Sequence, residues 1–457
     1  MSDHSGFRFD SGSLALLREA LGRMEQGFSS LPAIGDGGGD PEAMRRVLLE
    51  VAERMQDNYP YFHPLYAGQM LKPPHPVARL AYSLALYLNP NNHALDGGRA
   101  SSRMEKEAVA QLARMFGWDT HLGHLTGGGT MANLEALWIA GRLRPDAAVL
   151  ASEQAHYTHQ RISAVLKLPF ESVPCDRFAR MDPAALEQRL KQGGVGTVVA
   201  TLGTTAVGSV DPLPEILALR ERFGFQLHAD CAYGGYFTLA SNLAPAARAA
   251  FDRVGEADSI VIDPHKHGLQ PYGCGCVLFR DLAVGKLYRH DSPYTYFTSD
   301  ELHLGEISLE CSRPGAAAVA LWATQKLMPL LRDGEFAGML TDCRTMALAL
   351  HGRLAADSRF VVAFSPELDI VVWTVQAGNL ARSSQLAREI FAESARRGLH
   401  LALAELPARL FWPEQEALRT GETVVSLRSV IMKAPPTGWL DQFLEILERA
   451  HTAADAC

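Results

Sequence analysis

The stretch Ser259-Ile260-Val261-Ile262-Asp263-Pro264-His265-Lys266-His267-Gly268 decides how this chain is read. Its first half is a short apolar, β-branched run, the pattern of a buried strand, and Asp-Pro ends that run. Lys266 then falls just beyond a strand end, at the edge where an open α/β sheet forms its ligand crevice. A lysine there, desolvated and set among cations, can lose its proton and attack a carbonyl to hold it as a Schiff base. The competing reading is a solvated loop lysine, so the rest of the chain has to decide.

Working outward, strand and helix patterns alternate on both sides of this stretch. Upstream, apolar strands are expected at 147–151, 168–173, 195–202 and 225–228, with helices near 183–192, 213–223 and 245–254. Downstream, 275–279 reads as a strand lying antiparallel beside the lysine strand. Such alternation means βαβ units and a mostly parallel sheet. At the predicted carboxyl ends lie His156, Thr204, Asp230 and Lys266. Four chemistry-bearing residues at four strand ends are the pattern of a site.

Before this region runs Thr126-Gly127-Gly128-Gly129-Thr130-Met131-Ala132-Asn133, leading into a helical pattern. Glycines let backbone approach a ligand, Thr130 is placed to cap the helix, and the helix amino end favours an anion. Taken together, the residues meet one set of requirements. A lysine holds a carbonyl, a glycine cradle holds a phosphate, Asp230 keeps a ring nitrogen protonated, and His156 lies against an aromatic ring. These are the needs of pyridoxal 5'-phosphate (PLP), an electron sink for carbanions.

Composition sets the bounds. The chain has 457 residues, 47% hydrophobic and 21% charged, with a formal net charge of -8. That suits a large core in about two domains, and the absence of a basic stripe speaks against nucleic-acid binding. No run approaches the roughly 20 apolar residues of a membrane span, and no secretory signal is read at the start. The 7 scattered cysteines form no disulfide framework, which suggests a cytoplasmic protein. Cys274 and Cys276 lack the partners of a metal site and read as buried thiols, so no metal is expected.

Three parts are expected: a helical arm and pocket segment over 1–75, a large domain over 76–334, and a small α+β domain over 335–457. The arm, split by the glycine-rich linker 35–40, is too small to bury its own apolar face and is expected to pack on another surface, such as a second subunit.

The motifs resemble those of the group II PLP-dependent amino acid decarboxylases, which include the glutamate, aromatic amino acid, tyrosine, histidine and diaminobutyrate enzymes. The resemblance spans roughly 60–435 and rests on the glycine run, Ala155-His156-Tyr157, Thr201-Leu202-Gly203-Thr204-Thr205, Asp230-Cys231-Ala232-Tyr233-Gly234-Gly235, Asp263-Pro264-His265-Lys266 and the closing run 427–432. It implies the aspartate-aminotransferase-type fold (fold type I), with a mostly parallel seven-stranded sheet, as a homodimer with its active sites at the subunit interface. It implies Lys266 as the Schiff-base lysine, His156 stacked on the cofactor ring, Asp230 on its nitrogen and Ala232 on the opposite face. Gly128, Gly129 and Thr130 would take the phosphate, with His265 nearby and Thr204 as a further cofactor contact. Arg428 would hold the substrate carboxylate, Tyr66 and Gln69 would meet the substrate, and Tyr296 or Tyr294 would be the general acid.

The reaction implied is decarboxylation of an L-amino acid to its amine. An aldehyde synthase, an aminotransferase or a non-catalytic PLP-binding protein are the rivals. His267-Gly268 stands where many relatives carry a bulky pair, and the sequence leaves open whether the glycine opens space near the cofactor.

Overall fold

The computed structural model describes residues 9–10, 12–33, 38–289, 302–415, 421–433 and 438–455. Two helices open the described chain, α1 (Ser13–Gln26) and α2 (Pro41–Met55), followed by α3 (Pro76–Leu86) and α4 (Arg99–Met115). Asp40 accepts the Glu42 N–H and Pro41 occupies the first turn, so α2 starts on a proper cap. Neither α1 nor α2 buries a single residue. On α2, Met44, Val47, Leu48, Val51 and Met55 all face outward.

Seven strands build the main sheet: β1 (Leu122–Thr126), β2 (Ala148–Ser152), β3 (Phe170–Val173), β4 (Val195–Thr201), β5 (Gln226–Asp230), β6 (Ser259–Ile262) and β7 (Gly275–Phe279). Their order is β1-β7-β6-β5-β4-β2-β3. Only β7 runs against its neighbours, pairing antiparallel with both β1 and β6. The expected antiparallel strand beside the lysine strand is therefore present. Strand β1 was not expected: Gly123 and His124 interrupt its apolar pattern.

The helices that cover this sheet are α5 (Gly129–Leu143), α6 (Thr158–Leu166), α7 (Pro183–Leu190), α8 (Leu213–Phe223) and α9 (Pro245–Asp252). A short turn, α10 (Gly285–Tyr288), follows, and then α11 (Gly315–Leu327) and α12 (Glu335–Ala355). Strands β4, β5 and β6 are buried almost end to end, as parallel strands covered on both faces must be. Their register sets Thr201 beside Asp230 and Asp230 beside Val261. The three carboxyl ends are thus level, and the chain leaves each of them toward one crevice.

A second, antiparallel sheet contains β8 (Phe360–Val362), β9 (Ile370–Val375), β10 (Ala402–Pro407) and β11 (Thr423–Val430), in the order β10-β11-β9-β8. Helices α13 (Leu380–Arg396) and α14 (Trp439–Asp455) cover it, packing around Trp373, Ile390 and Phe443. The main core runs on into this part through Leu368, Ile370, Val424 and Val430.

Beneath the glycine run lies a buried polar network. Arg313 pairs with Glu105 at 3.0 Å and donates to the Leu125 carbonyl at 2.6 Å. Glu105 also accepts the Leu125 N–H at 3.0 Å. Both backbone groups of Leu125 are held this way, which fixes the exit of β1 into Thr126 and the glycines.

Candidate active site

At the level carboxyl ends lies a cavity of about 660 Å³. Its walls include Gly127, Gly128, Gly129, Thr130, His156, Thr201, Thr205, Asp230, Ala232, His265, Lys266 and Glu310. The structure thus brings together eight of the residues given a role from the sequence: Gly128, Gly129, Thr130, His156, Asp230, Ala232, His265 and Lys266.

Lys266 Nζ lies 3.0 Å from Asp263 Oδ2. The sequence reading placed the amine among cations, but its immediate partner is a carboxylate three residues back on the same turn. The other Asp263 oxygen is buried and has no partner among the described residues. His265, buried beside Gly128, has its pKa lowered by burial. Its ring stacks on Tyr272 with centroids 4.6 Å apart.

Asp230 ends β5. Its Oδ1 accepts the Ala232 N–H at 3.1 Å, and its Oδ2 lies 2.8 Å from His159 Nε2. Burial pushes this carboxyl up, but the His159 hydrogen bond and the neighbouring imidazoles outweigh it and hold the group well below the usual carboxylate range. His156 reaches the cavity from the loop before α6, with Nδ1 2.8 Å from Thr158 Oγ1. Burial lowers its pKa, so the ring is neutral at neutral pH.

The glycine run forms an anion cradle. Gly128, not Thr130, is the residue before α5, and no side chain caps that helix. Thr130 lies inside the first turn because the chain has already turned helical at Gly129, which corrects the capping expectation. A Cβ on Gly129 would fall 2.7 Å from Asp263 Oδ2, so only glycine lets the helix end approach this closely. Glu310 also reaches the run, where its Oε2 accepts the Gly127 N–H at 3.2 Å.

Other expected residues sit elsewhere. Thr204 is fully buried and its hydroxyl accepts the Ser209 N–H at 3.0 Å, while Thr201 and Thr205 face the cavity. The Thr201 hydroxyl is buried and unpartnered among the described residues. Arg428 donates to the carbonyls of Gly68, Thr205 and Ala206 at 3.0, 2.7 and 3.0 Å. It thereby ties the pocket segment to the Thr205 loop, with two of its five guanidinium N–H groups uncommitted. Tyr66 is buried against Tyr61 and His400, and Gln69 is exposed. Neither lines the cavity. Tyr294 and Tyr296 lie outside the described residues.

The pair after the lysine is packed away from the cavity. His267 is fully buried, with its ring 5.0 Å from both Tyr233 and Phe237. Its Nε2 lies 3.2 Å from Asp369 Oδ2 but off the line of a hydrogen bond. Asp369 instead accepts from Tyr233 Oη at 2.5 Å. A Cβ on Gly268 would come within 2.6 Å of the Pro264 backbone, so this glycine opens no space near the site.

The conserved domain of pyridoxal-dependent decarboxylases matches residues 141–376, half of the chain and the part that carries His156, Asp230 and Lys266. The chain belongs to the pyridoxal-dependent decarboxylase family. Members are PLP-dependent carboxy-lyases, and pyridoxal 5'-phosphate is the cofactor. An L-tyrosine decarboxylase of Enterococcus faecium is 27% identical, over 66% of this chain and 67% of that protein. A probable L-tyrosine/L-aspartate decarboxylase of Methanothermobacter thermautotrophicus is 29% identical, over 67% of this chain and 82% of that one. Among solved structures, Oryza sativa TDC with PLP and tryptamine superposes with a TM-score of 0.78 at 17% identity, covering 98% of this chain and 99% of that one. That likeness establishes the fold as type I.

The residues present fit the cofactor. The Gly128–Thr130 stretch opens a helix that no side chain caps, Thr201 Oγ1 is a buried hydroxyl without a partner among the described residues, and an ionised carboxylate, a neutral imidazole and a primary amine face one space. Sequence reasoning missed Asp263, His159, Thr201, Thr205 and Glu310. Asp263 stood within a motif already quoted, at a spacing that one turn converts into contact.

Proposed function

We propose that this protein decarboxylates an L-amino acid to the corresponding amine and carbon dioxide. The observation that carries the reading is that Lys266, Asp230, His156 and the run Gly128–Thr130 surround one cavity. Lys266 Nζ is the amine that carries the cofactor covalently and gives it up to the substrate amine. Asp263 holds that amine at the cavity while the substrate has displaced it. When bound, PLP supplies the electron sink that takes up the electrons released as carbon dioxide leaves. Asp230 keeps the proton on the ring nitrogen, and His156 and Ala232 hold the ring from its two faces. The amides of Gly128, Gly129 and Thr130 and the amino end of α5 take the phosphate.

Arg428, through its two uncommitted N–H groups, orients the substrate carboxylate, while Tyr66 and Gln69 meet the side chain. Tyr296, or else Tyr294, returns a proton to the substrate α-carbon. Thr204 acts on the cofactor through its loop, which presents Thr205. The working unit is a homodimer, with the bare apolar face of α2 as part of the joint, and the three-part division at 75 and 334 describes its arm, cofactor domain and small domain. The buried thiols of Cys175, Cys231, Cys274 and Cys276, none of them in a disulfide among the described residues, suit a cytoplasmic setting.

The test is spectroscopic and chemical. The protein should show the visible absorbance of lysine-bound PLP, and Lys266→Ala should abolish it. Screening the common amino acids with ornithine and diaminobutyrate should yield carbon dioxide and amine from at least one. Release of keto acid or aldehyde alone would move the protein to an aminotransferase or aldehyde synthase, and an unchanged spectrum in Lys266→Ala would remove Lys266 from its role.

A further inference from the structure

Asp230 has a partner that the reaction scheme above does not use. His159, on the first turn of α6, is fully buried, and its Nε2 lies 2.8 Å from Asp230 Oδ2. Its other nitrogen, Nδ1, is buried too and meets no partner among the described residues. A proton on Nδ1 would be a buried donor with nothing to bond, a costly arrangement. Nε2 is therefore the ring nitrogen whose proton points at the carboxylate.

A second set of contacts backs the same oxygen. Asn133 Nδ2 lies 3.4 Å from Asp230 Oδ2, and Asn133 Oδ1 lies 2.8 Å from His228 Nε2. His228 Nδ1 is in turn 2.8 Å from Ser259 Oγ. Burial lowers the pKa of His228 to about 3, so its ring is neutral, and with Nε2 donating to Asn133 the amide is fixed with its NH₂ toward Asp230. The titratable groups that face this carboxylate are His159 on α6, His156 before it and His228 on β5; Lys266 and Asp263 after β6 bear on the same site. Among the described residues, only His159 makes a short contact with Oδ2, at 2.8 Å against 3.4 Å for Asn133.

We propose that His159 is a positioning residue for the cofactor: through its Nε2 hydrogen bond it fixes the Asp230 carboxylate facing the ring nitrogen. This rests on the functional reading above, in which Asp230 binds that nitrogen. Without His159, burial acts on the carboxyl with much less opposition and favours its uncharged form, which cannot hold a proton on the ring.

The experiment compares apo protein carrying His159, His159→Phe or His159→Gln for affinity toward PLP and for the pH dependence of the bound-cofactor absorbance. A cofactor analogue with carbon in place of the ring nitrogen serves as the second ligand. His159→Phe should weaken PLP binding about tenfold, the worth of one hydrogen bond to a charged group. It should also displace the pH profile, while His159→Gln, which keeps a donor, recovers most of both. On the analogue, all three proteins should bind alike. Equal PLP affinity in His159→Phe and the parent overturns the proposal, and so does an equal loss on PLP and analogue. Should His159→Phe fail to fold, His159→Asn, too short to reach Asp230, takes its place with the same expectations. If the parent itself forms no Lys266-dependent absorbance with PLP, the functional reading has failed, not the role of His159 within it.

Discussion

Gly268→Ala separates two accounts of the residues that follow the lysine. The sequence left open whether a small residue here offers room near the cofactor; if it does, enlarging it should change which amino acids are accepted. The structure predicts a different outcome. An added Cβ would stand 2.4 Å from Tyr236 Oη and 2.6 Å from both the Cα and the carbonyl oxygen of Pro264. Tyr236 is itself fully buried, and Pro264 is backbone of the very turn that carries Lys266, so neither can yield cheaply. Overpacking of this kind costs about 3 kcal/mol, and more when the obstacle is backbone. With an unfolding entropy near 2 cal/mol/K per residue over 457 residues, about 3 kcal/mol lowers the melting temperature by roughly 3 °C. The assay is thermal and urea unfolding of the apo protein, followed by the amino acid panel on whatever folds. A Gly268→Ala protein as stable as the parent but with a changed substrate range would refute this reasoning and return the position to the substrate pocket.

Two further predictions concern charge. Glu310 places a carboxylate on the same glycine run that is proposed to take the phosphate, so Glu310→Gln should tighten PLP binding to the apo protein by about three- to tenfold in a fluorescence titration, a typical worth for like charges brought together at a partly buried site; unchanged or weaker binding would show that the two anions do not compete. His228 is held neutral, with its pKa lowered from 6.5 to about 3 by burial, so between those values the unfolded chain binds the proton that the native state refuses. Its contribution to stability is therefore full above 6.5 and falls as pH drops toward 3, by about 2 kcal/mol between pH 6.5 and 5. His228→Gln should flatten that part of the stability–pH curve, and an equally steep curve in the variant would deny His228 this role.

What the sequence made legible was the position of chemistry at strand ends. Asp230 and Lys266 each follow a run of apolar residues, and an abrupt polar residue at the end of such a run is a strong local signal. Gly127–Gly129 was legible for the same reason: three glycines before a helical pattern have few structural uses. What stayed hidden was partnership. His159 reads as one polar position on an amphipathic helix, and only the parallel β2-β4-β5 arrangement carries it to a residue 71 positions away. Arg428 reads as a free cation on a strand, yet three of its donors close on carbonyls up to 360 positions back, because the pocket segment crosses the small sheet at that point. Thr204 and Thr205 are equivalent by composition. The turn after β4 decides between them, spending the first hydroxyl on Ser209 and presenting the second to the cavity.

The arrangement also explains why two carboxylates can serve one site without defeating each other. Asp230 and Asp263 leave adjacent parallel strands, β5 and β6, whose backbones lie about 4.8 Å apart. On the proposed reading, Asp230 would serve the ring nitrogen of the cofactor and Asp263 would serve Lys266. The two anions are kept distinct by their partners: imidazole and amide donors around Asp230, and a primary amine beside Asp263. The sheet supplies the spacing, and the choice of donor at each strand end supplies the division of labour.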